Sequence, residues 1–230
     1  MLGLATGITN TSYQWQPNMV GADLKLWLRN RVGVTAGQWD DSSGNANHAT
    51  QDTGGNRAAE SGGGLEFDGS NDHYDVENIV CSDQEGLTFF NVVEPDSVST
   101  KVMLGDGTNN GFIEFQTNKK IRIKIDGDTA VSPTFGSVQF PTDEKYVLGI
   151  QRESGSTGNV NVYKDGTLLT PTSQVADSGP INFNSISGRG SDRYFDGHIY
   201  ELLFYDTRDL TESEVGKINN YLINKHSPLG

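Results

Sequence analysis

One cysteine, Cys81, stands in 230 residues, so no intrachain disulfide can form and the fold must rest on its core alone. Basic residues are also scarce: 17 Lys and Arg face 30 Asp and Glu, a formal net charge of −13. That balance repels phosphate backbones and anionic bilayers, so no nucleic-acid partner is expected. The densest basic stretch, Lys119, Lys120, Arg122 and Lys124, alternates as one solvated strand face does. No apolar run approaches the ~18 residues of a membrane span, and membrane insertion is not expected. The opening Met1-Leu2-Gly3-Leu4-Ala5-Thr6-Gly7 has neither a basic n-region nor an apolar h-region, which predicts synthesis in a cytoplasm without a signal peptide. Catalytic patterns are missing too. There is no Gly-x-Ser-x-Gly elbow, and the four histidines, His48, His73, His198 and His226, lack zinc spacing. No enzymatic activity is expected.

What is abundant is glycine, with 28 residues, in a chain of short alternating segments. Leu24, Leu26 and Leu28 fall on one face of a strand, with Trp27 on the other under a second layer. After a long polar loop from Gln38 to Gly64, strand signals recur at Leu65 to Phe67, His73 to Val76, Leu87 to Glu94, Val102 to Leu104 and Phe112 to Gln116. They continue at Ile121 to Ile125, Tyr146 to Arg152, Val160 to Lys164 and Arg193 to Tyr205. Asp126-Gly127 and Asp165-Gly166 are the pairs that tight type I′ hairpins demand. This is the pattern of an antiparallel all-β fold, a meander or Greek key rather than βαβ units, in one domain over residues 21–230. Residues 1–20 show neither period and read as an N-terminal arm, ordered only if it docks on a neighbour or on its own sheet. The period changes near the end: Thr211 and Glu214 form a capping box, Leu210 and Val215 a hydrophobic staple, and Val215, Ile218 and Leu222 follow helical spacing. A helix over about 211–225 is predicted, lying against the sandwich edge.

Three segments carry a family resemblance. They are Leu26-Trp27 with the run Trp39 to Thr50 and Leu65-Glu66-Phe67-Asp68-Gly69; the hairpin Val162 to Leu168; and Phe195-Asp196-Gly197-His198-Ile199-Tyr200-Glu201 with Tyr205-Asp206, Leu210-Thr211 and the final helix. In that order and spacing the chain resembles the concanavalin A-like lectin/glucanase superfamily in its laminin-G-like or pentraxin-like form, which implies a two-sheet antiparallel jelly-roll sandwich. It is also similar to the single-domain version found in accessory virion proteins of tailed bacteriophages. The resemblance implies a non-enzymatic structural protein on a virion surface, decorating capsid or tail, with other virion proteins as partners and a homo-oligomer as one arrangement. Leu2, Leu4, Tyr13 and Trp15 of the arm would make the attachment. The alternative it implies is a lectin-like module recognising host-surface polysaccharide. Hydrolysis would need two carboxylates flanking a bond, as in Glu-x-Asp-x-x-Glu, and no such run occurs.

Two polar loops are the candidate sites. In the first, Asp40, Asp41 and Asn45 offer oxygens that could take a calcium ion, although no cofactor is required and the same residues form Asx and Gly turns equally well. In the second, Asn71 and Asp72 could hydrogen-bond sugar hydroxyls or hold a cation beside His73 and Asp75, while the turn reading makes them a tight strand connection. Sugar faces stack on aromatic rings, for which Tyr74 and Tyr194 are the principal candidates, with core or edge packing as the competing fate.

Overall fold

The computed structural model describes residues 15–229 except 22, 36, 109, 126–129, 189, 191 and 207, with the side chain of Asn78 also set aside. Leu2, Leu4 and Tyr13 of the expected arm, and the Asp126-Gly127 turn, lie outside the described residues.

Two antiparallel sheets stack face to face. The first runs β15 (Thr167–Leu169), β14 (Val160–Lys164), β13 (Tyr146–Arg152), β8 (Leu87–Pro95), β17 (Asp196–Asp206), β6 (Gly64–Asp68) and β5 (Ala59–Ser61), and β1 (Leu24–Leu28) also pairs with β17. The second runs β12 (Ala130–Val131), β11 (Lys120–Lys124), β10 (Phe112–Thr117), β9 (Lys101–Gly105), β16 (Ile181–Ile186), β7 (Tyr74–Cys81), β4 (Ala49–Thr50), β3 (Gln38–Trp39) and β2 (Val34–Thr35). Alternation decides what faces inward. Leu26, Leu28, Phe67, Phe89, Leu148, Ile150, Leu202 and Phe204 of the first sheet meet Tyr74, Met103, Ile113, Phe115, Ile121, Ile123 and Phe183 of the second. Trp39 is buried in the same core and donates its indole N–H to the Arg29 carbonyl at 2.8 Å, anchoring the polar loop. The expected hairpin at Asp165-Gly166 is formed: both residues have positive φ, 48° and 77°, as a type I′ turn requires.

The C-terminal helix, α1 (Glu212–His226), starts on the expected capping box, with the Thr211 hydroxyl accepting from the Glu214 amide. It does not lie at the sandwich edge. Val215, Ile218 and Leu222 cover the middle of the first sheet's outer face, against Trp27, Phe90, Val92, Val147, Leu203 and Tyr205. The cause is legible in β8 and β13, whose residues are buried on both faces of the sheet, so an outer apolar row needs a cover. A β-bulge between Ile199 and Glu201 adds to that face: Tyr200 joins the outer cluster, and Glu201 reaches Trp27 and the helix. Fully buried Glu201 accepts from the Trp27 indole and pairs with His226 Nε2, both at 2.8 Å, and with Lys225.

The stretch just before β1 belongs to the same layer. Trp15 meets Tyr221 edge to face at 6.4 Å, the Tyr205 hydroxyl donates to the Pro17 carbonyl at 3.2 Å, and Arg208 donates to the Val20 carbonyl. Arg208 also pairs with Asp23 and Glu214, and its guanidinium is the main reason the Glu214 carboxyl is held down at about 2. Because Thr211 satisfies a helix-end amide, Thr211→Ala is expected to lower stability by about 1 kcal/mol in chemical denaturation, with an unchanged m-value.

Candidate functional site

The outer face of the second sheet is the opposite of the helix-covered one: it is polar and open. Strand β7 makes it so. Tyr74 and Val76 point into the core, which turns Asp75 and Glu77 outward. Asp75 pairs with Ser185 and Ile79 with Phe183, so four residues of β7 advance against two of β16, and the surplus is a bulge just past Asp75. Bulges re-aim side chains and spread the local surface. Here the bulge adjoins a shallow cleft of about 530 Å³ between β3, β4, β7 and β16, lined by Gln38, His48, Thr50, Asp75, Glu77 and Asn184. Donors and acceptors thus line it together. His48 Nδ1 lies 3.1 Å from the Asp41 amide nitrogen and 3.3 Å from an Asp40 carboxylate oxygen.

At the neighbouring end of β7, the half-buried rings of His73 and Tyr194 lie 5.8 Å apart, tilted by 40°. Described residues preceding Tyr194 have unusual backbone conformations. Ser187, Gly188 and Arg193 all have positive φ (63°, 78° and 59°), a conformation that costs energy for the two that carry side chains. Gly188 cannot be replaced without strain, since a Cβ there would meet the Tyr194 ring at 2.7 Å. Buried Ser187 accepts from the Phe195 amide at 2.8 Å, and Arg193 pairs at 3.1 Å with Glu114, a fully buried carboxylate that also binds Arg122. These bonds fix Arg193 and Phe195, the two chain neighbours of Tyr194.

The residues singled out from sequence fall into three groups. Asn71, His73 and Tyr194 are brought together: Asn71 is exposed, its backbone carbonyl lies 2.8 Å from His73 Nδ1, and its amide donates to Asn56 at 3.1 Å. Tyr74 is not a surface ring. It is 2 % exposed and packs edge to face on Phe67, because the strand period that turns Asp75 outward turns Tyr74 in. Asp72 is buried and structural, accepting from the Asp68 amide at 3.0 Å while Asp68 accepts from the amides of Ser70, Asn71 and Asp72. Burial outweighs that bond and raises the Asp72 carboxyl above the ordinary range; burial opposes ionisation at Asp68 too, but its three amide donors prevail and lower it.

The residues offered as calcium ligands, Asp40, Asp41 and Asn45, are engaged in hydrogen bonds. Asp41 already accepts four hydrogen bonds, from the amides of Trp27, Ser43 and Asn47 and the Ser43 hydroxyl, so donors occupy the directions a cation would need. Asn45 donates to the Leu24 and Lys25 carbonyls, and Asp40 accepts from Gln38. Among the described residues no group of three or more His, Cys, Asp or Glu is placed to hold a metal ion. Trp15, assigned to the arm, packs on Tyr221. Cys81 is fully buried, and burial pushes its thiol up to about 12, so it is not a thiolate at neutral pH. A hollow of about 210 Å³ under Gly62 to Gly64 is below the roughly 300 Å³ at which small-molecule sites begin. Sequence reasoning passed over Glu77, Thr50, Gln38 and Asn184; the outward alternation of Asn182 and Asn184 in β16 was the available signal.

No protein-family model matches the chain, and no curated protein matches it. Solved structures do. Domain 4 of an extracellular arabinanase from Geobacillus stearothermophilus, in complex with arabinotriose, superposes with a TM-score of 0.60 at 19% identity, covering 86% of this chain and 98% of that one. What is shared is the fold. The binding domain of Paraclostridial Mosquitocidal Protein 1 follows at 0.56 and 16% identity, over 91% of this chain and 54% of that one. Trypanosoma rangeli sialidase matches at 0.55 and 17% identity over 86% of this chain, which spans only 32% of the sialidase chain.

Proposed function

We propose that this domain is a non-catalytic carbohydrate-binding module that holds neutral, hydroxyl-rich sugar chains on the outer face of the second sheet. The observation that carries this reading is the Tyr194 ring, set beside His73 next to the positive-φ residue Arg193, at the end of a strand whose outward residues line a polar cleft. An aromatic face takes the C–H side of a sugar ring, while carboxylates and carboxamides bond its hydroxyls. Asp75 and Glu77, on a chain of net charge −13, disfavour anionic glycans at this face. The fold shared with an arabinanase domain solved with arabinotriose supports the same reading. The virion role implied by the sequence resemblance draws no support from these structures, and the glycan-binding alternative takes its place. Calorimetric titration of the chain with arabinotriose and a panel of neutral oligosaccharides tests it. Saturable binding to at least one neutral glycan is expected, and no binding across the panel overturns the proposal.

A further inference from the structure

A second groove lies on the other side of the molecule, where the segment before β1 meets α1. Its volume is about 610 Å³, and Trp15, Arg29, Lys217, Asn220, Tyr221 and Lys225 are its chief lining residues. No carboxylate lines it, although acidic residues outnumber basic ones by 30 to 17 in the chain as a whole. The helix repeat is responsible: Lys217, Tyr221 and Lys225 succeed one another at intervals of four and present one face.

The cations are not equivalent. Lys225 is matched from below by Glu201. Arg29 and Lys217 form no ion pair among the described residues; the Arg29 guanidinium bonds the Tyr221 hydroxyl, while its buried Nε has no hydrogen-bond partner. Arg29 is nevertheless held in place, its guanidinium 4.8 Å from the centre of the Trp27 ring. A planar guanidinium fixed on an aromatic face, with no carboxylate among the groove's lining residues, is suited to one. Trp15 and Tyr221, edge to face at 6.4 Å, add aromatic surface in the same groove, and Asn220 adds donor and acceptor.

We propose that this groove is a ligand site for a carboxylated sugar, a pyranose of the uronic or sialic acid type, with its carboxylate on Arg29 and Lys217 and its ring against Trp15 and Tyr221. The site is separate from the cleft beside Tyr194 and opposite to it in charge, so one domain carries two sugar sites of different selectivity.

The test uses the full 230-residue chain and trigalacturonate as probe, with its methyl ester as the uncharged control and tryptophan emission and calorimetry as readouts. Saturable binding of the acid is expected, with the ester at least ~tenfold weaker. Lys217 is exposed and unpaired, so Lys217→Glu should leave the melting temperature unchanged and weaken the acid at least ~tenfold. Arg29→Gln should do the same wherever circular dichroism shows it folded, and Trp15→Ala should remove most of the emission change. Tyr194→Ala should leave trigalacturonate binding intact, which separates this site from the neutral-glycan reading. Equal binding of acid and ester, or full affinity in Lys217→Glu, overturns the proposal. So does displacement by inorganic phosphate at the same concentration as the sugar acid, since a plain anion site would then suffice.

Discussion

Replacing Glu201 with alanine is expected to destabilise the protein by about 3–5 kcal/mol, the cost of removing one partner from a buried charged network. Glu201 is fully buried between the first sheet and α1, and it is the common acceptor for the Trp27 indole, His226 and Lys225. Alanine would leave the indole N–H and the His226 ring, both buried, without their acceptor, while Lys225 can swing into water. For a chain of this length the melting temperature should fall on the order of 10 °C. A double-mutant cycle with His226→Asn should return a coupling of about 1 kcal/mol or more, whereas independent effects would show that the contact is incidental.

The pH dependence follows from the same residue. Burial opposes ionisation of Glu201, but the bonds from His226, Lys225 and Trp27 outweigh it and hold the carboxyl below its usual 4.5. A depressed carboxyl stabilises the fold fully above its unfolded value, and that contribution is lost as pH falls through the folded value. Glu214, held at about 2, behaves alike. Asp72 and Asp206 have the opposite sign: burial raises both, so their protonation favours the fold and softens the acid transition. The gap between wild type and Glu201→Ala should therefore be constant near neutrality and close below about pH 4. A gap that persists into strong acid would show that Glu201 acts by packing rather than by charge.

Tyr194→Ala is expected to raise the Kd for a neutral oligosaccharide at least ~tenfold, or about 1.4 kcal/mol, with a small change in melting temperature. The ring is half-buried at the surface, so its removal exposes Gly188 and His73 without opening the core. Tyr74→Ala should do the reverse. That ring lies between the sheets beside Phe67, and its loss should cost about 3–5 kcal/mol of stability with no change in affinity once the protein is folded. If Tyr74→Phe, which keeps the packing, weakened glycan binding and Tyr194→Ala did not, the site would be misplaced.

These two tyrosines show what a linear reading can and cannot resolve. Both sit in polar, Gly-flanked stretches and look equally available. Their fates depend on strand parity at the start of β7 and on the positive-φ backbone at Ser187, Gly188 and Arg193, and neither is a property of residue type. Strand β16 was similarly hard to see. It follows a long Pro- and Ser-rich stretch, and its alternating Asn residues resemble a loop, yet it lies at the centre of the second sheet and supplies Asn184 to the cleft. Asp41 shows a third kind of detail: its bonds to the amides of Trp27, Ser43 and Asn47 depend on how the loop folds back on β1, which residue type does not reveal.

The amino-acid sequence by itself determined the succession of short antiparallel strands, the single C-terminal helix with its capping box, and the type I′ hairpin at Asp165-Gly166. All of these rest on local period and turn chemistry, which act between residues a few positions apart. Only the tertiary structure decided that α1 covers the face of the first sheet rather than its edge, that Glu201 is turned outward by a bulge, and that Tyr194 meets His73 across more than a hundred residues. Those outcomes depend on which strands become neighbours and on the offset at which they pair, and a one-residue slip reverses every side chain on the strand concerned.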